Sequence, residues 1–474
     1  MPRRHASIGT PTAQVHILKV TDFTAHMFSS TLPSSSAAKP TEYQKPAMLA
    51  GGVAKPTAPT TNFGLKAVAC GHNSDGQCDI PALTDGETYA HAAAGLRHTV
   101  LLKDNGQAVC CGMRANLQGI PEFPVQCQIP ALAEGEAYSH VVAAIYHTVL
   151  LKDNGQAVAC GENYGGWCDI PTLAEGEAYS QIAAGDYHTV LLKDNGQAVA
   201  CGANEDGRCD IPTLAEGEAY SHIATGDYHT VLLKDNGQAV ACGANDDGQC
   251  DIPALSEGEA YSHIAAGDCH TVLLKDNGQA VACGLNSDDQ CDIPALAEGE
   301  AYSHIATGSC RTILLKDNGQ AVACGTNDDG QCDIPALAEG EAYSYIAAGG
   351  SHTALLKDNG QAVACGLNWD GQCDIPALAE GETYSHIAVG DYHTVLLSGQ
   401  TRTRVITVAV KAFEGSSLIL SCTGLDGSEL CRTRCNTAAR VRDVHKQIAH
   451  AVCSIGHGSM GTLKIVLPNG PRSK

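Results

Sequence analysis

Seven histidines stand at one recurring place in this chain. His98, His147, His188, His229, His270 and His393 each open an HTVLL stretch, His352 opens HTALL, and Arg311 takes the place once. Imidazole is a metal ligand and a proton carrier near neutral pH. Either job needs partners within a few ångströms, yet these rings come one to a repeat and are separated by whole structural units. No Ser, His and Asp grouping stands beside them that would suit nucleophilic catalysis. The expected role is structural, an imidazole bonded to the backbone of a neighbouring loop. Cysteine poses the same question, because the chain has 23. They recur as pairs, Cys201 with Cys209, Cys242 with Cys250, Cys283 with Cys291, and likewise 70 with 78, 160 with 168, 324 with 332, 365 with 373 and 111 with 127. No CxxC knuckle occurs, so the spacing follows packing and not a local ligand cluster. Small buried apolar side chains are the favoured reading, with disulfides inside each unit and metal ligation as the others. No metal and no cofactor is expected.

The elements that carry these residues repeat as well. Glycine follows cysteine at Gly71, Gly112, Gly161, Gly202, Gly243, Gly284, Gly325 and Gly366, and apart from one step of 49 residues every spacing is 41. A fixed period of this length marks a repeat architecture. Within one unit three short strands are legible, YSQIAAG, HTVLLKD and QAVACG. Val190 and Leu192 fall on one side of the middle strand, Thr189 and Leu191 on the other, the period of two of a pleated strand. Asn195-Gly196 offers the positive backbone angles of a tight hairpin turn, and the Asn-Gly pair recurs in seven copies. Pro212 in the following polar segment disfavours a helix and suits a crossing to the next unit.

Small three-stranded sheets cannot bury both faces alone, and a ring of them can. The expected fold is therefore all-β, a β-propeller of 41-residue repeats over 67–400, eight-bladed by preference with seven as the alternative. The last repeat has its first two strands and then diverges into SGQTRTR. Its missing strand lies at the other end, so 67–71 is expected beside His393–Leu397, completing a composite eighth blade and removing open sheet edges.

The stretch GDYHTVLLKDNGQAVACGANDDGQCDIP resembles the repeat of the regulator-of-chromosome-condensation family, in its compact form with three-stranded blades. The resemblance spans 67–400. It departs at Cys70, Cys111, Cys160, Cys201, Cys242, Cys283, Cys324 and Cys365, where many family members have Trp. The resemblance implies a propeller. For function it implies nucleotide exchange on a small GTPase, inhibition of another protein, or substrate binding in ubiquitin signalling. Only 74 residues follow Gln400, too few for the ligase domain of the last group.

The formal charge of -23 is uneven, with +5 over 1–66, -35 over 67–400 and +7 over 401–474. An acidic middle repels a phosphate backbone, so direct nucleic-acid binding is not expected. A protein partner is, either basic in character or a small GTPase. No membrane-spanning stretch or secretory signal is visible. The expected location is cytoplasmic, with the nucleus open. Residues 1–66 compose a Ser/Pro/Thr-rich leader expected to be disordered. Residues 401–474 compose a small basic α+β tail: strand, turn and strand over LILSCTGLDGSELCRTRC, a helix marked by Val441, Val444, Ile448 and Val452, and a strand at LKIVLPNG. That order resembles part of a ubiquitin-like domain.

Geometry singles out one end of the ring. Loops that end the first and third strands of each unit lie together there, and there the copies differ. Arg97, Tyr146, Tyr187, Tyr228, Cys269, Cys310, Ser351 and Tyr392 share one variable position. Aromatic anchors among acids suit protein recognition, so the expected partner-binding residues are Tyr146, Tyr164, Trp167, Asp186, Tyr187, Asp227, Tyr228, Trp369, Asp370 and Tyr392. The function expected from this is a non-enzymatic interaction scaffold; the alternatives are an exchange factor for a small GTPase and an adaptor in ubiquitin signalling.

Overall fold

The structure, a computed structural model, describes residues 18–21, 65–112, 127–400, 403–414, 417–423 and 429–436. Residues 65–400 form eight three-stranded antiparallel sheets. In the blade of Tyr179–Ala184, His188–Lys193 and Ala198–Gly202, the middle strand pairs with both others. The first strands are innermost: their C-terminal ends, Ala94, Ala143, Ala184, Thr225, Ala266, Thr307, Ala348 and Val389, converge from all eight blades on one central cavity.

Burial follows the strand period. The His-Thr-Val-Leu-Leu core of the middle strand is wholly buried, since both faces meet other blades. Leu192 packs with Tyr220 and Leu232 of the following blade, and Ile211, Leu214 and Val240 close the cluster. Each fully buried leucine contributes roughly 1.5–3 kcal/mol. Each inner strand carries, at or near its start, a buried tyrosine whose hydroxyl donates to a proline carbonyl of the crossing segment, as Tyr220 does to Pro212 at 2.8 Å. That bond fixes the segment which Pro212 keeps out of a helix.

The hairpin turn differs from the one expected. Gly196 has φ of +81°, but Asn195 does not share it. Gly196 N–H donates to Lys193 C=O at 3.0 Å, and the Asn195 side chain accepts from the Gln197 amide at 3.0 Å. This is a three-residue loop whose glycine alone takes the left-handed region. A β-carbon there would also run into Ala219.

The ring closes as the strand count predicts. Lys66–Gly71 pairs with His393–Gln400, Gly71 opposite His393 and Ala67 opposite Leu397. Tyr89, Ala92 and Leu101 of the first complete blade then share one cluster with Val395 and Leu397 of the last.

The recurring histidines are structural, but their partner is a side chain and not a loop backbone. His188 Nε2 donates to Thr230 Oγ1 of the next blade at 2.8 Å, and that hydroxyl donates onward to the Arg208 carbonyl of the crossing segment at 2.8 Å. The clasp runs around the ring and ends with His393 on Thr99 at 2.8 Å. A hydroxyl already donating to a carbonyl must accept from the imidazole, which places the proton on Nε2. Burial pushes the imidazoles down, His229 to about 4 and His393 to about 3. Arg311 keeps the clasp with Nε on Thr353 at 3.3 Å and spreads its guanidinium over the carbonyls of Gly349, Gly350 and His352 at 2.6–2.8 Å.

Seven of the eight cysteine pairs of the repeats are free thiols, and in the eighth Cys111 is free. Cys201 faces the Trp167 carbonyl at 3.6 Å and Cys209 the Ala203 carbonyl at 3.6 Å, so each thiol packs against backbone and not its sequence partner. One disulfide occurs among the described residues, and it joins Cys127 to Cys110, not to Cys111.

Beyond the ring, Leu18–Thr21 pairs with Thr403–Glu414, followed by Ser417–Thr423 and Glu429–Asn436, in one antiparallel sheet. The strand-turn-strand expected from LILSCTGLDGSELCRTRC is present. The ubiquitin-like resemblance finds no support in this sheet, one strand of which comes from the opposite end of the chain. The helix expected at Val441–Val452, the strand at LKIVLPNG and most of the leader lie outside the described residues.

Candidate partner-binding face

At one end of the axis, eight loops turn from inner to middle strand. Seven of them place glycine at the neck: Gly95, Gly185, Gly226, Gly267, Gly308, Gly349 and Gly390, with Ala144 in the eighth. A β-carbon on Gly185 would strike the Gly226 carbonyl and the His188 ring, so the neck closes on bare backbone. The next residue of each loop lines a cavity of about 180 Å³. Those residues are Leu96, Ile145, Asp186, Asp227, Asp268, Ser309, Gly350 and Asp391, so half of the ring is carboxylate.

The carboxylates cost energy to ionise there. Burial and then Asp227 raise Asp186; burial and then Asp268 raise Asp227, which its hydrogen bond with Asp186 opposes. Burial and then Asp268 push Asp391 up to about 6, while Arg311 opposes the shift. Asp268 is raised by burial, with Ser309 and Arg311 opposing. Arg311 therefore lies close enough to act as a fixed countercharge for two of the four.

The following residue of each loop builds a second, outer ring. Tyr146 and Tyr187 lie 5.7 Å apart between centroids, and Tyr187 and Tyr228 6.4 Å. Arg208 sits 5.9 Å from the Tyr187 ring and 5.2 Å from that of Tyr228, a cation resting on aromatic faces. Its Nη1 donates to the Asp227 carbonyl at 3.0 Å, which ties the aromatic ring to the acidic one. Tyr392 stands apart, with His72 at 6.4 Å, and His72 Nδ1 is 3.2 Å from Asp370 Oδ2.

The ten expected residues thus divide. Tyr146, Tyr187 and Tyr228 form one crescent, Asp186 and Asp227 line its axial side, and Tyr392 with Asp370 form a separate group. Tyr164 and Trp369 project alone, 74% and 87% exposed. Trp167 is only 6% exposed, packed against Tyr146, His147 and Tyr187, and its carbonyl accepts from Thr189 at 2.7 Å. It fills the slot that Gln77, Gln249, Gln290, Gln331 and Gln372 fill in other copies. It supports the crescent from below and offers no free face. Sequence reasoning missed Asp268, Asp391, Arg208 and Arg311. Asp268 and Asp391 follow the same glycine as Asp186, a signal that was available. Arg208 was legible only as the odd member of the Gln slot. Among the described residues no group of three or more His, Cys, Asp or Glu side chains is placed to hold a metal ion.

The opposite end is uniform. Seven lysine-glutamate pairs, such as Lys193 on Glu177 at 2.8 Å, repeat there with little variation, which leaves the axial cavity end as the one that differs from blade to blade.

Comparison with known proteins agrees with this architecture. The regulator of chromosome condensation (RCC1) repeat matches residues 179–208, 220–249, 261–290 and 343–372. No curated protein matches the sequence. Prp20p of Saccharomyces cerevisiae, described by its binding to Gsp1p and histones, is similar at 16% identity over 71% of this chain and 92% of its own, with a TM-score of 0.49. Human WBSCR16 is similar at 15% identity over 71% and 99%, TM-score 0.49. Yeast RCC1 (Prp20) bound to Kap60 is similar at 18% identity over 76% and 97%, TM-score 0.48. The cytoplasmic expectation is corrected here, since the similar protein Prp20p is described by histone binding.

Proposed function

We propose that this chain, an eight-bladed propeller of RCC1-type repeats, is a non-catalytic protein-binding module whose partner seats over the axial cavity and the tyrosine crescent beside it. The observation that carries the reading is the stacking of Tyr146, Tyr187 and Tyr228 along the acidic side of the cavity. Aromatic rings supply large contact area at small entropic cost, and carboxylates beneath them favour a cationic side chain from the partner. The double substitution Tyr187→Ala and Tyr228→Ala should abolish capture of that partner while leaving the thermal transition cooperative. Capture that survives in the folded variant would remove this face from the reading.

Nucleotide exchange on a small GTPase is the finer form of the same proposal. It rests on the family resemblance and on Prp20p, described by its binding to Gsp1p and histones, which also points toward the nucleus. An exchange factor grips its partner and opens the nucleotide site without covalent chemistry, so it needs a face and not a catalytic group. Nucleotide release from purified GTPases, with and without the chain, separates the two forms: acceleration establishes exchange, and binding without acceleration leaves a passive module.

A further inference from the structure

The uniform end of the ring departs from its own rule at one blade. In each of the seven blades whose middle and outer strands are joined by a hairpin, the lysine that ends the middle strand donates to a glutamate of the same blade at 2.7–2.9 Å. Glu136, Glu300 and Glu341 accept from the hairpin asparagine as well, at 3.3–3.5 Å. Lysine and glutamate are 16 residues apart in every pair, and the same count from Glu382 reaches Ser398. No hairpin joins these two strands of the composite blade either, because its outer strand is Lys66–Gly71. Glu382 nevertheless keeps the setting of its siblings: its Oε2 accepts from the Ala379 amide at 3.3 Å, as Glu177 Oε2 does from Ala174 at 3.0 Å. Among the described residues no lysine or arginine lies within ion-pair distance of Glu382.

The carboxylate that lacks its lysine borders open space. A cavity of about 520 Å³ lies at the seam, with Glu382 on the side of the composite blade and Ile80, Pro81 and Leu83 on the crossing segment that leads to the first complete blade. Glu87 on that same wall is already matched by Lys103 at 2.7 Å. Lys66 also lines the cavity and forms no ion pair with Glu382.

We propose that this seam cavity binds a lysine side chain of a protein partner, with the ammonium on Glu382 and the aliphatic stem along Ile80, Pro81 and Leu83. A carboxylate beside an apolar wall suits a side chain that is apolar along its length and charged at its tip. The precedent is internal to the molecule: seven blades hold an ammonium on the equivalent carboxylate, with the lysine side chain only 12–14% exposed. The seam offers the same carboxylate to a lysine from outside, because Ser398 is too short to reach it. This site belongs to the end of the ring opposite the tyrosine crescent, so the inference does not rest on the partner-binding reading.

The test is fluorescence anisotropy of a fluorescein-labelled, amidated Gly/Ser peptide carrying one lysine, titrated with the full chain at physiological ionic strength. The same peptide with norleucine for lysine keeps the stem and removes the ammonium. The lysine peptide should bind saturably and the norleucine peptide at least about tenfold more weakly, the loss expected for one hydrogen bond between charged groups. Glu382→Gln keeps an acceptor for the Ala379 amide and removes the charge, so it should weaken the lysine peptide by a similar factor without moving the thermal transition. Ser398→Lys installs the sibling residue; it should fold, satisfy Glu382 from within and abolish peptide binding. Absence of saturable binding, equal binding of the two peptides, undiminished binding in Glu382→Gln, or full binding by a folded Ser398→Lys would each overturn the proposal.

Discussion

Arg311 shows how much one side chain at the repeat position can alter. Its neighbours use a neutral imidazole there, while it brings a permanent charge that is 1% exposed. Three carbonyls and a threonine hydroxyl receive its donors, and Asp268 and Asp391 lie within its field. Gly350 belongs to the same adjustment, because its carbonyl takes Nη1 where other copies place aspartate. Arg311→His would restore the repeat residue and remove the countercharge. With the opposing influence gone, Asp391 should move above its present value of about 6 and Asp268 should rise too. Carboxyl chemical shifts followed through a pH titration check this; an unchanged or lower midpoint at Asp391 would refute the countercharge role. Truncation is a harsher change. Arg311→Ala leaves buried carbonyls without donors and should cost about 3–5 kcal/mol, the usual penalty for breaking a buried charged network.

At the level of the element, the clasp of imidazole, hydroxyl and carbonyl joins three pieces of chain that no backbone ladder connects: one blade, the next, and the segment crossing between them. Removing it at one interface, as in His229→Ala, leaves the Thr271 hydroxyl without its donor and opens a void between two middle strands. The expected loss is about 2–4 kcal/mol, read as a lower denaturant midpoint. A loss below that of a surface substitution would mean that apolar packing alone joins the blades. Strand boundaries and the composite blade were legible because both rest on local period, alternation within HTVLLK and the leftover strand at Ala67–Gly71. The clasp was only half legible, for its histidine was visible but Thr271 is 42 residues away and becomes a neighbour only when sheets stack. Trp167 was misplaced for a related reason. A tryptophan in a polar loop suggests an exposed anchor, whereas its repeat position is a slot that buries whatever stands there. Alignment of the copies against one another, which shows Trp167 replacing glutamine, carries more information than its residue type.

For the whole molecule, the seven clasp histidines and the four axial aspartates impose opposite pH dependences. Each histidine titrates near its ordinary 6.5 when unfolded and at about 3 or 4 in the ring. Between those values the unfolded chain binds more protons, so stability falls as pH drops from 6.5 toward 4. The aspartates have the reverse shift. Between 3.8 and about 6 for Asp391 the folded chain binds more protons, so these groups add stability as pH falls and lose it as pH rises through the folded value. Near pH 5 up to seven histidine protons oppose up to four carboxyl protons, and the histidines win. Stability should therefore peak near neutrality and collapse on the acid side with net proton uptake on unfolding. Urea midpoints measured from pH 4 to 8 read this directly. Asp186→Asn with Asp227→Asn should raise the midpoint above pH 7, where ionising the raised pair is costly, and leave the acid collapse in place. Loss of the acid collapse in that variant would assign it to the carboxylates and not to the clasp. A midpoint lowered above pH 7 would mean instead that the ionised pair is held by a favourable contact at the cavity, and that the axial carboxylates are anchored and not strained.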